Sequence, residues 1–334
     1  MTAADRSHHS TSRAPVLAAL TANVGVASAK LVGFLVTGSG AMLAEAIHSG
    51  ADTGNQLVLL GSMRRAARPA DATHPFGYTT FRFAGAFMVA VVLFGLGATL
   101  SLVDGIDKLL HPTRLGSLSV DLVIVGVAVV LEALSLRSAV NTAAGARGEQ
   151  RWWPFLRETR QPELAVLLVE DTSALIGLAL AAVAIGLSAA TGSPVYDACG
   201  SVGIGLVLGV NSMLLGRQML SLMVGKSASE EQVATIGEQM LATTGITRVV
   251  HLRTVHLGPD DLLIGAKVVF DQGMSAETAA EVVDRAEMAI RRVVPSARWI
   301  YVEPGRPTER SGPGAATAGK TPNRSAAGTG REKR

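Results

Sequence analysis

A single cysteine, Cys199, stands in 334 residues. That scarcity rules out a disulfide framework within the chain and any cysteine-built zinc knuckle. Aromatic residues are few, at 4%, and charged residues reach only 17%. A soluble domain carries about a quarter charged residues, so the deficit points to lipid as the main solvent. Also missing are a glycine-rich phosphate loop of the Walker type and an HExxH pair. The first absence argues against an ATP-driven pump and the second against an intramembrane zinc hydrolase, so no enzymatic activity is expected. The net charge is only +3, and the arginines lie beside apolar segments. Both features read as membrane topology and not as nucleic-acid binding.

What the chain has in quantity is apolar length, with 48% hydrophobic residues and a mean hydropathy of +0.34. A spanning helix needs roughly 20 apolar residues. Runs of that order cover about 15–36, 41–63, 81–102 (helical on to Leu110), 118–139, 163–189 and 195–219. Thr37-Gly38-Ser39-Gly40 ends the first run, and Pro162 suits the first turn of the fifth. Residues 1–14 are polar, are expected to be disordered, and show no small-residue cleavage pattern, so the first run reads as a membrane helix and not a signal peptide.

Basic residues gather after the second run, at Arg64, Arg65 and Arg68, and after the fourth, at Arg147, Arg151, Arg157 and Arg160 beside Trp152 and Trp153. By the positive-inside rule these loops and both termini are cytoplasmic, in a multi-pass protein of the cell membrane. An even number of crossings is then required, and six satisfies it.

From about Ser227 the character changes. A helix opens at Ser229 and stops near Gly245, two strands flank a Gly-Pro-Asp turn, a second helix follows, and ARWIYVEP closes as a strand. The expected fold is a membrane all-α six-helix domain over 15–224 and a small cytoplasmic α+β domain, α-β-β-α-β, over 225–304. So small a core makes pairing with a second copy attractive. Residues 305–334 lack the apolar content to fold and are expected to be a disordered tail.

Polar residues inside the apolar runs carry the chemistry. His48 and Asp52 lie four apart on one helical face of the second run. An imidazole and a carboxylate are natural ligands for zinc or its neighbours, and lipid makes them costly unless paired, metallated or hydrated. A His–Asp hydrogen bond bracing two helices is the competing reading. Glu170 and Asp171 sit side by side in the fifth run. They point about 100° apart, so one faces the interior and the other a neighbour or water, unless both lie shallow. Convergence of His48, Asp52 and Asp171 makes a cation site that must also take up protons when empty, because clustered carboxylates repel.

Weaker candidates surround this set. Lys30 can pair with Glu45 or reach the interface, Glu132 and Arg137 read as contacts between helices, and Asp104 and Asp107 mark the end of the third helix. Asn23, Asn55 and Gln56 are expected to hydrogen-bond across helices. In the loop after the second run, Asp71 and His74 offer two ligands, a weak metal site, or simply a turn held by Pro75 and Gly77.

The set EAIHSGADTGNQ, HPFGY and GSPVYDACGSVGIG, followed by a small α-β-β-α-β domain, resembles the cation diffusion facilitators over about residues 15–304. The resemblance implies six spanning helices, a cytoplasmic C-terminal domain, a homodimer, and exchange of cytoplasmic zinc or a similar divalent ion for protons, with no cofactor. It implies two ligand pairs, each four residues apart, on the second and fifth helices. His48 and Asp52 match the first pair and Asp171 the last ligand, but the remaining position is Leu167, which cannot coordinate.

VLLVEDTSALIGL instead resembles the branch with Glu-Asp in the fifth helix, where Glu170 or a water is the fourth ligand. Oxygen ligands would relax selectivity against manganese, iron or cobalt, and cadmium is a further possible substrate. In the family's loop site, Asp71 and His74 match two ligands while Tyr78 replaces a histidine, so that site is expected to be weak or absent. His251 and His256 read as surface or interface residues of a strand, or else as zinc ligands between protomers. A metal-sensing or scaffold protein that has lost transport is the alternative function.

Overall fold

The computed structural model describes residues 40–111, 118–149, 151–306 and 316–317, with scattered positions between 17 and 35. Part of the first apolar run, including Lys30, and most of the two tails therefore lie outside the described residues. The chain divides into two compact units, 1–224 and 225–334.

Among the described residues the first unit is helical: α1 (Gly40–Ala66), α2 (Phe81–Val92), a π-helical segment (Leu93–Ala98), α3 (Thr99–Leu110), α4 (Leu118–Arg147), α5 (Trp152–Glu158), α6 (Pro162–Thr191) and α7 (Val195–Gly225). Among the described residues, four helices are long and apolar enough to cross a membrane, beginning at Phe81, Leu122, Pro162 and Val195. The α1 helix is long enough, but Glu45, His48, Asp52, Arg64 and Arg65 dilute its apolar character. Along α4, Leu122, Val123, Val127, Val130 and Leu134 are exposed. A row of large apolar side chains without protein neighbours is what a lipid-facing surface requires.

Three departures from the sequence reading have local causes. The third run does not stay α-helical throughout. It passes through the π segment, and Ser212 of α7 donates to the Ala90 carbonyl just before it. The loop after α4 contains an extra short helix, α5. Phe155 buries against Ala143, Leu164 and Leu168, and the Arg147 guanidinium lies 4.6 Å from the centre of the Trp152 ring. An amphipathic turn thus seals the gap between α4 and α6. Finally, α4 and α7 outrun their apolar stretches to Arg147 and Gly225, since nothing in those segments breaks a helix.

The second unit runs α8 (Glu230–Ala242), β1 (Ile246–Gly258), β2 (Asp261–Phe270), α9 (Ala276–Val293), β3 (Ala297–Pro304) and β4 (Ala316–Thr317). Ser229 accepts from the Gln232 amide at 3.2 Å while Gln232 accepts from the Ser229 amide at 3.3 Å, a capping box that starts α8. The sheet order is β3-β2-β1-β4. β1 and β2 form an antiparallel hairpin, and α9 makes the crossover that a parallel β2–β3 pair requires. Ile236, Met240, Leu262, Ile264, Ala286 and Ile290 anchor one core between helices and sheet. The expected α-β-β-α-β order is present. The β4 strand, within the stretch expected to lack structure, pairs with Arg248 and Val249, whose backbone is otherwise a free edge.

Candidate functional site

The inward face of α1 changes chemistry along its length. Ser49, Asp52, Asn55 and Gln56 are buried, and so are Leu59, Leu60 and Met63 further along the same face. The apolar half packs with Phe83, Ala86, Val166 and Leu215. The polar half faces α6, where Glu170 and Asp171 are also buried.

Adjacent positions on α6 diverge as helix geometry demands. Glu170 turns to α1: Asn55 Nδ2 donates to its Oε1 at 3.1 Å, and Asp52 lies within hydrogen-bonding reach. Its Oε2 is buried and has no hydrogen-bond donor among the described residues. Asp171 turns to α4, accepts from Ser135 Oγ at 3.0 Å, and lies within electrostatic reach of Glu132 and Asp52. Behind them Asn211 of α7 donates to Ser173 Oγ at 2.7 Å, and Ser173 donates to the Val169 carbonyl at 2.6 Å. The α6 backbone is thereby tied down beside the acids.

The structure thus brings Asp52 and Glu170 together and holds Asp171 at the margin of the pair. His48 lies in α1 one turn before Asp52, but its side chain is outside the described residues. Among the described residues no three His, Cys, Asp or Glu side chains form a group able to hold a metal ion. Leu167 is buried and apolar. Of the amides expected to bridge helices, Asn55 does so, while Gln56 Oε1 has no hydrogen-bond partner among the described residues. Ser135 was not singled out by the sequence; a serine on a lipid-embedded helix was its only signal.

The loop residues do something else. Both carboxylate oxygens of Asp71 are engaged: Oδ1 accepts from the amides of Thr73 at 2.9 Å and His74 at 2.8 Å and from the Thr73 hydroxyl at 2.7 Å, and Oδ2 accepts from Tyr78 at 2.6 Å. These bonds, led by the Tyr78 hydroxyl, hold the Asp71 carboxyl well below the usual carboxylate range. His74 stacks on Tyr78 at 4.2 Å between ring centres. This arrangement organises a turn. In the second unit His251 is half-buried but His256 is buried in β1, so the latter is not a surface residue.

A buried ion pair that sequence reading passed over joins α2 to α6. Arg82 and Glu163 are 5% and 2% exposed, with Nε to Oε1 at 2.6 Å. One charge in the first turn of each of two apolar helices was the available signal.

Comparison with known proteins agrees with this architecture. Residues 16–224 match the family described as cation efflux transmembrane domain, and residues 228–304 match the cation efflux protein cytoplasmic domain. The proton-coupled zinc antiporter SLC30A9, mitochondrial, of Mus musculus is 33% identical over 262 residues, 78% of this chain and 46% of that protein. The chain therefore spans about half the length of that relative. Metal tolerance protein C4 of Arabidopsis thaliana is 25% identical over 280 residues, 83% of this chain and 61% of its own. Magnetosome protein MamB of Paramagnetospirillum magneticum is 25% identical over 289 residues, 86% of this chain and 92% of its own. With its membrane unit and its small α+β unit each matched, the chain belongs to the cation efflux family, the cation diffusion facilitators.

Proposed function

We propose that this protein is a six-helix, multi-pass transporter of the cell membrane, with both termini cytoplasmic, that exports a divalent transition metal in exchange for protons. Zinc is the foremost substrate, with manganese, iron, cobalt and cadmium as further candidates. The observation that carries this reading is the Asp52–Glu170 pair. Two carboxylates from two helices lie within hydrogen-bonding reach, and one oxygen, Glu170 Oε2, is buried without a donor. Such a pair is stable only with a proton or a cation between the oxygens. Alternate occupancy by one or the other is the exchange chemistry that the reading requires.

In this mechanism Asp52 and Glu170 hold the ion, and the sphere is completed by His48, one turn before Asp52, and by Asp171, next to Glu170, which would put the chain in the Glu-Asp branch of the family. Ser135 and Asn55 orient the carboxylates by donating to them. An ion arriving from the cytoplasm displaces protons from the carboxylates, and protons returning from the far side displace the ion. Helices rocking around the site, and not movement of the site itself, expose it to one side and then the other. The small α+β unit supports a homodimer, and no cofactor is needed.

Proteoliposomes carrying a pH gradient test the proposal. Zinc flux should follow the gradient and collapse in Asp52→Asn and in Glu170→Gln. Metal affinity should fall by more than the roughly 10–100-fold that loss of an outer-shell partner costs. Flux indifferent to the gradient would overturn proton exchange, and full flux in both variants would overturn the site. Tight metal binding without flux would assign the sensing or scaffold role instead.

A further inference from the structure

Gln56 is 2% exposed, its Oε1 is fully buried, and among the described residues its side chain makes no hydrogen bond. Its neighbour Asn55, in the same polar stretch of α1, is accounted for by Glu170. Buried amides are rarely left with neither end engaged, and an apolar residue here would simply have continued the stripe that begins at Leu59. Gln56 is four residues after Asp52, and Asp52 is four after His48, so the three share one face of the helix.

Among the described residues two buried oxygens therefore lack donors in this part of the molecule: Gln56 Oε1, on the residue one turn after Asp52, and Glu170 Oε2 beside Asp52. Oxygens that only accept are what a cation satisfies. An amide oxygen is also a neutral, hard ligand. It adds nothing to the charge of the site, yet it raises the oxygen count above what imidazole and carboxylates supply. Manganese and iron(II) favour many oxygen ligands, whereas zinc is content with four, nitrogen among them.

Resting on the reading of Asp52 and Glu170 as the transported ion's ligands, we propose that Gln56 supplies a neutral oxygen to that ion and so widens the site's range from zinc to manganese and iron(II). The amide is a specificity-determining ligand, and the carboxylates bind every divalent ion that enters.

The test is calorimetric titration of the purified full-length protein in detergent with Mn2+ and, separately, Zn2+. Gln56→Leu keeps the bulk and removes the oxygen. Mn2+ affinity should fall by at least the roughly tenfold that loss of even an outer-shell partner costs, and Zn2+ affinity should fall much less. Gln56→Glu retains an oxygen at the position and should keep Mn2+ binding, which holds the test open if the leucine variant does not fold. An unchanged Mn2+/Zn2+ ratio in Gln56→Leu would overturn the proposal, and a water bridging the two oxygens predicts that result. Asp52→Asn separates the two levels of the argument. If it abolishes binding while Gln56→Leu changes nothing, only the role of Gln56 fails. If metal binding survives Asp52→Asn intact, the underlying site fails with it.

Discussion

Arg82 and Glu163 are joined by two parallel hydrogen bonds, Nε to Oε1 at 2.6 Å and Nη2 to Oε2 at 2.9 Å, across the first turns of α2 and α6. The planar fork of arginine matches the carboxylate, and Glu163 sits where the helix dipole favours a negative charge. Removing one partner leaves a buried charge alone, at a cost of about 3–5 kcal/mol. Arg82→Met and Glu163→Leu should each lower the unfolding temperature markedly, and the double substitution should recover most of the loss. A thermal melt of the three variants in detergent checks this. Additive losses would show that the two groups are not coupled.

Gly105 of α3 and Gly205 of α7 let the two helices meet at backbone distance. A methyl group on Gly105 would fall 2.9 Å from the Ala198 carbonyl oxygen, and one on Gly205 would fall 3.0 Å from that of Ala98. Gly105→Ala and Gly205→Ala should each destabilise by about 1–3 kcal/mol, because the backbone must move. Gly126 of α4 has nothing within 4 Å of the same position. Gly126→Ala should be neutral or stabilising by about 0.5–1 kcal/mol. Chemical-denaturant curves for the three variants suffice, and equal effects would refute the close packing.

The loop hub at Asp71 predicts a pH dependence with a definite sign. Its carboxyl is held below the usual range, chiefly by Tyr78 and then by Thr73 and the His74 amide. The ionised form is favoured in the folded loop, so its anchoring is fully present above the ordinary aspartate value of about 3.9. It fades only as the pH falls through the lowered value. In Tyr78→Phe the Asp71 pKa should rise toward the ordinary value, followed by carboxyl NMR chemical shifts. No change would mean that the Tyr78 hydroxyl bond contributes nothing.

Assembly provides a further prediction. Deleting residues 228–304, the segment matching the cytoplasmic domain, should weaken dimerisation and leave a foldable membrane unit. Deleting 305–334 should change neither. Light scattering across a concentration series in mild detergent measures both, and a monomeric full-length protein would contradict the expectation.

Much of this was legible before any coordinates. Continuous apolar length marks a membrane helix whatever its neighbours are, because lipid leaves the backbone no other partner. Hence the helices after Phe81, Leu118, Pro162 and Val195 could be read directly from the chain. The order α8-β1-β2-α9-β3 was legible for a similar reason, since alternation and capping are local signals. So was the presence of Asp52, Glu170 and Asp171 inside apolar runs, where charge is conspicuous, and all three are buried.

What the chain determined by itself was therefore which segments fold as helix or strand, and which residues are too polar to be there without a purpose. It could not determine partners. Adjacent carboxylates point apart by about 100°, and only the packing of α6 between α1 and α4 gave Glu170 to Asp52 and Asp171 to Ser135. The same holds for Arg82 and Glu163, which stand 81 residues apart, and for Asn55 and Glu170, which stand 115 apart. Those pairings depend on the rotation of each helix about its axis. That rotation is set by the fit of apolar and glycine faces against neighbouring helices, and no local window of sequence contains it.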